Sequence, residues 1–199
     1  MLMLIVKLIG GRVSILKIGE KDIVWKTDNK KTIINIIKIF EDYPPLTSRL
    51  TCQLEFLKKC LQNNDIHQYL LERGKKYTFQ REIINYNTTK WKNSNYLPSY
   101  YPAWLSGFIE AKGCFSIKTK GPLYFSIGQI NDLYLIESIG NYFNATTKAY
   151  NKPKDFYFIE IYKKSILLKI IEHCSINPLM GAKKENLKLF LLAMNKDTN

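Results

Sequence analysis

The feature that most constrains this chain is that it repeats itself. With Trp25 set against Phe158, "WKTDNKKTIINIIKIFEDYPPL" runs alongside "FIEIYKKSILLKIIEHCSINPL" without a gap. At that offset of 133, Lys30-Lys31 meets Lys163-Lys164, Ile33-Ile34 meets Ile166-Leu167, and Ile37 meets Ile170. Pro45-Leu46 then meets Pro178-Leu179, Leu54 meets Leu187, and Phe56-Leu57 meets Leu189-Phe190. Lysine pairs recur by chance in a basic chain, but matched apolar positions with a shared Pro-Leu break do not. Each copy predicts an alternating strand, an amphipathic helix, a proline-marked break and a last amphipathic helix. Further upstream, "LYLIESIGNYF" is echoed by "LMLIVKLIGG", helix-like and ending at glycine.

The second copy extends further back than the first. Ahead of Leu133 lie two strand-like stretches, "CFSIKTK" and "LYFSIGQI", hinged at Gly121-Pro122, and before them a helix in "WLSGFIEA". A full unit therefore reads helix–strand–strand–helix–strand–strand–helix with one more helix. Projected back by 133, the first helix and hairpin of copy one fall ahead of residue 1. The expected organisation is a truncated first repeat over 1–60, a linker over 61–101 and a complete second repeat over 102–199. The linker is polar, Asn-rich and basic. It predicts a short helix from about Asp65, which would cap it, to Arg73, and an extended connector beyond.

Lys and Arg number 30 against 17 Asp and Glu, a net charge of +13 that points to a polyanionic partner, most simply nucleic acid. A hydrophobic content of 46% excludes wholesale disorder. The opening "MLMLIVKLIGG" is interrupted by Lys7 and too short to span a bilayer, so no membrane partner is expected. Four cysteines without a CxxC pair, and only two histidines, do not form a zinc-ligand pattern. Cys114 and Cys174 lie in apolar runs and are expected to be buried, reduced thiols. Arg occurs only at positions 12, 49, 73 and 81, while Lys, Ile, Asn and Tyr abound. Their codons are A/T-rich, which suggests an organelle genome and a mitochondrial location.

The repeat together with "WLSGFIEAKGCF" resembles the LAGLIDADG homing endonucleases and their maturase relatives. The nine residues Leu105-Ser106-Gly107-Phe108-Ile109-Glu110-Ala111-Lys112-Gly113 form a variant of that motif, and the resemblance runs from about Met1 to Leu192. It implies an α+β fold of αββαββα repeats with antiparallel saddle-shaped sheets over the nucleic acid. It also implies that Ser106, Gly107, Ala111 and Gly113 serve helix packing. In this family an acidic residue one position before the final glycine holds a divalent metal for phosphodiester cleavage. Here that position is Lys112, an ammonium without a lone pair to donate. Glu110 stands two residues earlier, turned by about 200° on the helix. A basic residue near the Pro-Leu break is kept as Lys183, whose counterpart in copy one is Leu50, next to Arg49.

No catalytic residue, metal or cofactor is therefore expected, Mg²⁺ entering only if the chain cuts DNA. The expected nucleic-acid surface comprises Arg12, Lys17, Lys21 and Lys26 in copy one. In copy two it comprises Ser116, Lys118, Lys120, Gln129, Lys148, Tyr150, Lys152 and Lys154. Basic and aromatic residues on sheet faces suit phosphate contact and base stacking. Tyr101 and His173 are expected to pack inside the protein, Tyr101 against the linker. The resulting expectation is a pseudoenzyme that binds structured RNA in preference to duplex DNA. Its setting would be an intron maturase or a mitochondrial ribosomal ribonucleoprotein, with ribosomal proteins as neighbours. The alternative is half of a split, metal-dependent DNA endonuclease, completed by a separately encoded fragment.

Overall fold

The computed structural model describes residues 1–15, 23–63, 65–91, 97–117 and 121–196. It divides into two compact units, Met1–Thr78 and Phe79–Asn199. The chain is α+β, with an antiparallel sheet in each unit.

Unit 1 runs α1 (Leu2–Ile9), β1 (Arg12–Ile15), β2 (Ile23–Lys26), α2 (Lys30–Asp42), α3 (Ser48–Gln62) and α4 (Ile66–Glu72), ending in a 3-10 turn at Arg73–Lys75. β1 and β2 form a two-stranded ladder that pairs Arg12 with Lys26 and Val13 with Trp25. Gly10 and Gly11, at φ 95° and 86°, turn the chain from α1 into that ladder, a conformation glycine adopts without steric cost. Trp25 lies across this turn, donating from Nε1 to the Gly10 carbonyl at 2.9 Å. A Cβ at Gly11 would meet its indole at 2.7 Å. α2 starts where Asn29 accepts the Thr32 N–H at 3.1 Å. Asp65 caps α4 as expected, accepting from the N–H groups of His67 and Gln68.

Unit 2 begins with α5 (Gln80–Trp91), a helix where an extended connector was expected. Polar periodicity hid it, because its packing rests on one large side chain: Trp91 is buried edge-on against Tyr101 and Tyr134. Next come α6 (Tyr101–Lys112), β3 (Cys114–Ser116), β4 (Tyr124–Ile130), α7 (Leu133–Tyr142), β5 (Tyr150–Lys152), β6 (Phe156–Ile161), α8 (Lys164–Ile176) and α9 (Lys183–Lys196). The strands form one antiparallel sheet in the order β3-β4-β6-β5. Phe115, Phe125 and Ile161 lie in one cross-strand row, with Ile127 and Ile159 in the next. All five are buried beneath the helices. Tyr101 is 1% exposed among Trp91, Trp104 and Tyr142, a packing residue as expected. Its hydroxyl donates to Ser138 Oγ, which in turn donates to the Leu135 carbonyl. Burial pushes the Tyr101 phenol far above its ordinary pKa.

The elements recur as the residue pattern does: β2 opens at Ile23 and β6 at Phe156, 133 positions apart. Leu46 and Leu179, which follow the two proline breaks, are both buried. Among the described residues of unit 1, no element corresponds to α6, β3 or β4.

Candidate nucleic-acid interface

The unit 2 sheet has a second face, away from the helices. Strand alternation and register place Ser116 beside Tyr124, and Cys114 beside Ser126 and Glu160. Gly128 lies beside Phe158 and Tyr150, and Ile130 beside Phe156 and Lys152. This face is aromatic. The rings of Tyr124 and Tyr162 stack at 5.0 Å, and those of Phe156 and Phe158 at 6.0 Å. Tyr150 meets Phe158 at 5.5 Å, and the Lys152 ammonium sits 4.2 Å from the Phe158 ring centre. The Tyr162 hydroxyl donates to the Glu160 carboxylate at 2.9 Å, a bond that raises the phenol pKa.

Of the expected contact residues, Ser116, Tyr150 and Lys152 occupy this face. Lys148 is exposed in the loop before β5, and Lys154 is exposed in the β5–β6 turn at φ 68°. Gln129 does not join them. Its register partners are Tyr157 and Asn151, in line with buried Ile127 and Ile159, so it belongs to the helix-covered face. A strand-end glutamine invites assignment to the nucleic acid, but alternation about Phe125 decides otherwise. Lys118 and Lys120 lie outside the described residues, as do Lys17 and Lys21 in unit 1.

In unit 1, Arg12 and Lys26 pair across the ladder and are exposed. Arg12 is engaged in a two-pronged contact with Asp28, at 3.1 and 2.9 Å, which lowers the Asp28 pKa. At the repeat offset Lys26 matches Ile159, on the helix side of the second sheet. Trp25 and Ile23 are the counterparts of Phe158 and Phe156.

The α6 tip shows how the motif residues divide. Lys112 is exposed at the last position of the helix. The Glu110 carboxylate accepts the N–H of Gly181 at 3.1 Å and of Lys183 at 3.2 Å, holding the start of α9. A Cβ on Gly181 would run into that carboxylate. Ser106, expected to serve helix packing, is buried and donates to the Asn177 carbonyl at the end of α8 at 2.8 Å. Its single proton is thereby used, so at 3.1 Å it accepts from Nε2 of His173, leaving Nδ1 to accept the Tyr142 hydroxyl at 3.2 Å. His173 is buried, as expected, and desolvation lowers its pKa. Gly107 and Ala111 are exposed with Ala103, one turn apart along α6, and a Cβ at Gly107 would touch nothing within 4 Å. Gly113 has φ −68°, an ordinary value. Glycine is needed there for space, since a Cβ would sit 2.8 Å from the Ile109 carbonyl.

Lys183 has its backbone N–H committed to Glu110, and Arg49 donates to the Tyr77 hydroxyl at 3.2 Å. Leu50 is exposed. Burial pushes the Cys174 thiol up to about 12. Cys114, expected to be buried, is exposed, because β3 turns it to the open sheet face. A divalent metal does not fit the α6 tip: the residue there is cationic and the motif's carboxylate, Glu110, is bound to two amides. Among the described residues, no three His, Cys, Asp or Glu side chains cluster as metal ligands. No helix among them is long and apolar enough to cross a membrane.

Residues 105–194 match the model of the LAGLIDADG endonuclease family. The chain is 42% identical to a probable intron-encoded endonuclease aI3 of Debaryomyces hansenii, covering 96% of this chain and 32% of that protein. It thus spans about a third of that relative. Proteins of the same name from Dictyostelium citrinum and Dictyostelium discoideum are 41% and 40% identical. Those matches cover 92% and 96% of this chain, and 74% and 78% of theirs. The fold is similar to that of the LAGLIDADG meganuclease I-AabMI bound to uncleaved DNA, with TM-score 0.67 and 20% identity over 99% of this chain and 78% of that one. It is also similar to I-SmaMI bound to DNA, with TM-score 0.65 and 21% identity over 98% and 76%.

Proposed function

Since this chain belongs to the LAGLIDADG endonuclease family, we propose that it is a member that binds structured RNA and does not by itself cut phosphodiester bonds. The observation that carries this reading is Lys112. At the end of α6, where the family motif calls for a metal-holding acid, stands an ammonium. Glu110, the one carboxylate in the motif, is occupied in fastening α9. What remains is a binding surface: an open sheet face with Tyr150 and Lys152, fringed by Lys148 and Lys154, in a chain of net charge +13. Lysines on such a surface neutralise phosphates and release counterions, so affinity should fall steeply with salt. Intron encoding in an organelle genome, and a maturase or mitochondrial ribosomal setting, go with this reading. Intron encoding is supported by the relatives' names, and an organelle genome by the abundance of Lys, Ile, Asn and Tyr, residues whose codons are A/T-rich.

The test is direct. Purified protein with Mg²⁺ or Mn²⁺ and its intron-insertion DNA should leave the duplex intact. Filter binding to intron or ribosomal RNA should exceed binding to that duplex across a salt series. Specific strand breaks, or a preference for duplex DNA at every salt concentration, would overturn it.

A second reading is favoured by the relatives' names, which are those of intron-encoded endonucleases. In it the chain is one part of a DNA-cleaving enzyme whose acidic helix tip comes from a separately encoded fragment. Adding such a fragment would then produce Mg²⁺-dependent cleavage that this chain alone lacks.

A further inference from the structure

We propose that the open face of the unit 2 sheet is a stacking platform for unpaired bases in single-stranded or looped RNA. The proposal rests on the nucleic-acid reading above and specifies what that face takes hold of.

The aromatic rings fall into two groups. Tyr124 and Tyr162 stack at one end, their planes 29° apart. Phe156, Phe158 and Tyr150 adjoin at the other, with Lys152 over Phe158. Tyr162 and Phe158 stand four residues apart along the same strand direction, about 13 Å, room for two separately held bases. Gly128 leaves room for the Phe156 ring. A Cβ there would meet Phe156 Cζ at 2.6 Å and Phe158 Cβ at 2.8 Å, so the tip of the Phe156 ring reaches over the glycine. Tyr150 is 53% exposed and Tyr162 45%, leaving π surface open to solvent.

A duplex hides the flat faces of its bases and shows edges, which are read by matched donors and acceptors. Among its described residues this face offers few of those: Ser116, Ser126 and Glu160 among rings. Unpaired bases present the flat surfaces that rings and cations stack upon. Glu160, between the two groups, would repel a phosphate laid across it but accepts an exocyclic amino group of a splayed base. The cationic fringe of Lys148, Lys152 and Lys154 supplies the complement to the connecting backbone.

The experiment uses the full chain. Three probes share one base sequence: single-stranded RNA, an RNA hairpin displaying it in the loop, and duplex DNA, each RNA carrying 2-aminopurine. Stacking should quench the 2-aminopurine emission on binding, and both RNAs should bind more tightly than the duplex. Tyr150→Ser and Tyr162→Ser should each weaken RNA binding on the order of tenfold, while Tyr162→Phe keeps it. Lys152→Gln should lower the salt slope by about one. Both tyrosines are exposed, so unchanged thermal melts are expected of the variants. Binding without quenching, or serine variants with unaltered affinity, would overturn the platform and leave the nucleic-acid reading standing. Failure of every probe to bind would overturn both.

Discussion

Units 1 and 2 carry the same residue pattern and bury it differently. Ile166, Leu167 and Ile170 on α8 are buried, whereas their counterparts Ile33, Ile34 and Ile37 on α2 are partly or largely exposed. Phe190 is completely buried, while Leu57, its match, is half-buried. Met3 and Leu8 on α1 are 70% and 80% exposed, but the corresponding α7 buries Leu135, Ile136 and Ile139. The difference lies in what each pattern packs against. Unit 2 has α6 against α8 and a four-stranded sheet beneath its helices, and the described part of unit 1 has a two-stranded ladder. A two-stranded ladder offers too little surface to bury the helices it accompanies. An amphipathic stripe states which residues can be buried; a partner surface decides whether they are.

Paired truncations would break this comparison most sharply. Ile170→Ala should cost about 2–5 kcal/mol in urea denaturation, and Ile37→Ala at the matched position about 1 kcal/mol or less. Equal losses would mean that unit 1 packs as fully as unit 2. Glu110→Ala should destabilise unit 2 by about 1–2 kcal/mol, because two amides at the start of α9 lose a charged acceptor. Hydrogen exchange should locate the loss in 181–187, and an unchanged pattern would remove Glu110's structural role. In unit 1, Asn29→Ala should cost about 1 kcal/mol by uncapping α2.

The smallest effect expected is one of pH. The unfolded chain protonates His173 near pH 6.5, whereas the buried ring, with its depressed pKa, resists protonation to lower pH. Within that window the unfolded state binds more protons, so stability falls as pH drops below about 6.5. His173→Phe, which copies Phe40 of unit 1, should flatten that dependence. A slope that persists in the variant would assign it to another group.

Much of the fold was legible because repetition supplied its own control. Offset, proline breaks and strand alternation located the repeated elements, and a nine-residue motif named the family. The helix of α5 was not legible, since its sequence is polar and its anchor is a single tryptophan. The surface was half legible. Periodicity alone put Ser116 on an outward face, but Gln129 looked equally available until the register tied it to Tyr157. Glu110 was missed as a structural group, because its partners, Gly181 and Lys183, lie 71 and 73 residues away.

The sequence by itself determined the repeat, the family, the surplus of positive charge and the lysine at the helix tip. These depend on residue identity and on short periods, which persist whatever the chain packs against. Only the tertiary structure decided which apolar stripes are buried, that Ser106 turns inward to His173, and that rings outnumber lysines among the described residues of the open sheet face. Those outcomes depend on neighbours far apart along the chain, and their cost or benefit exists only once the surfaces meet.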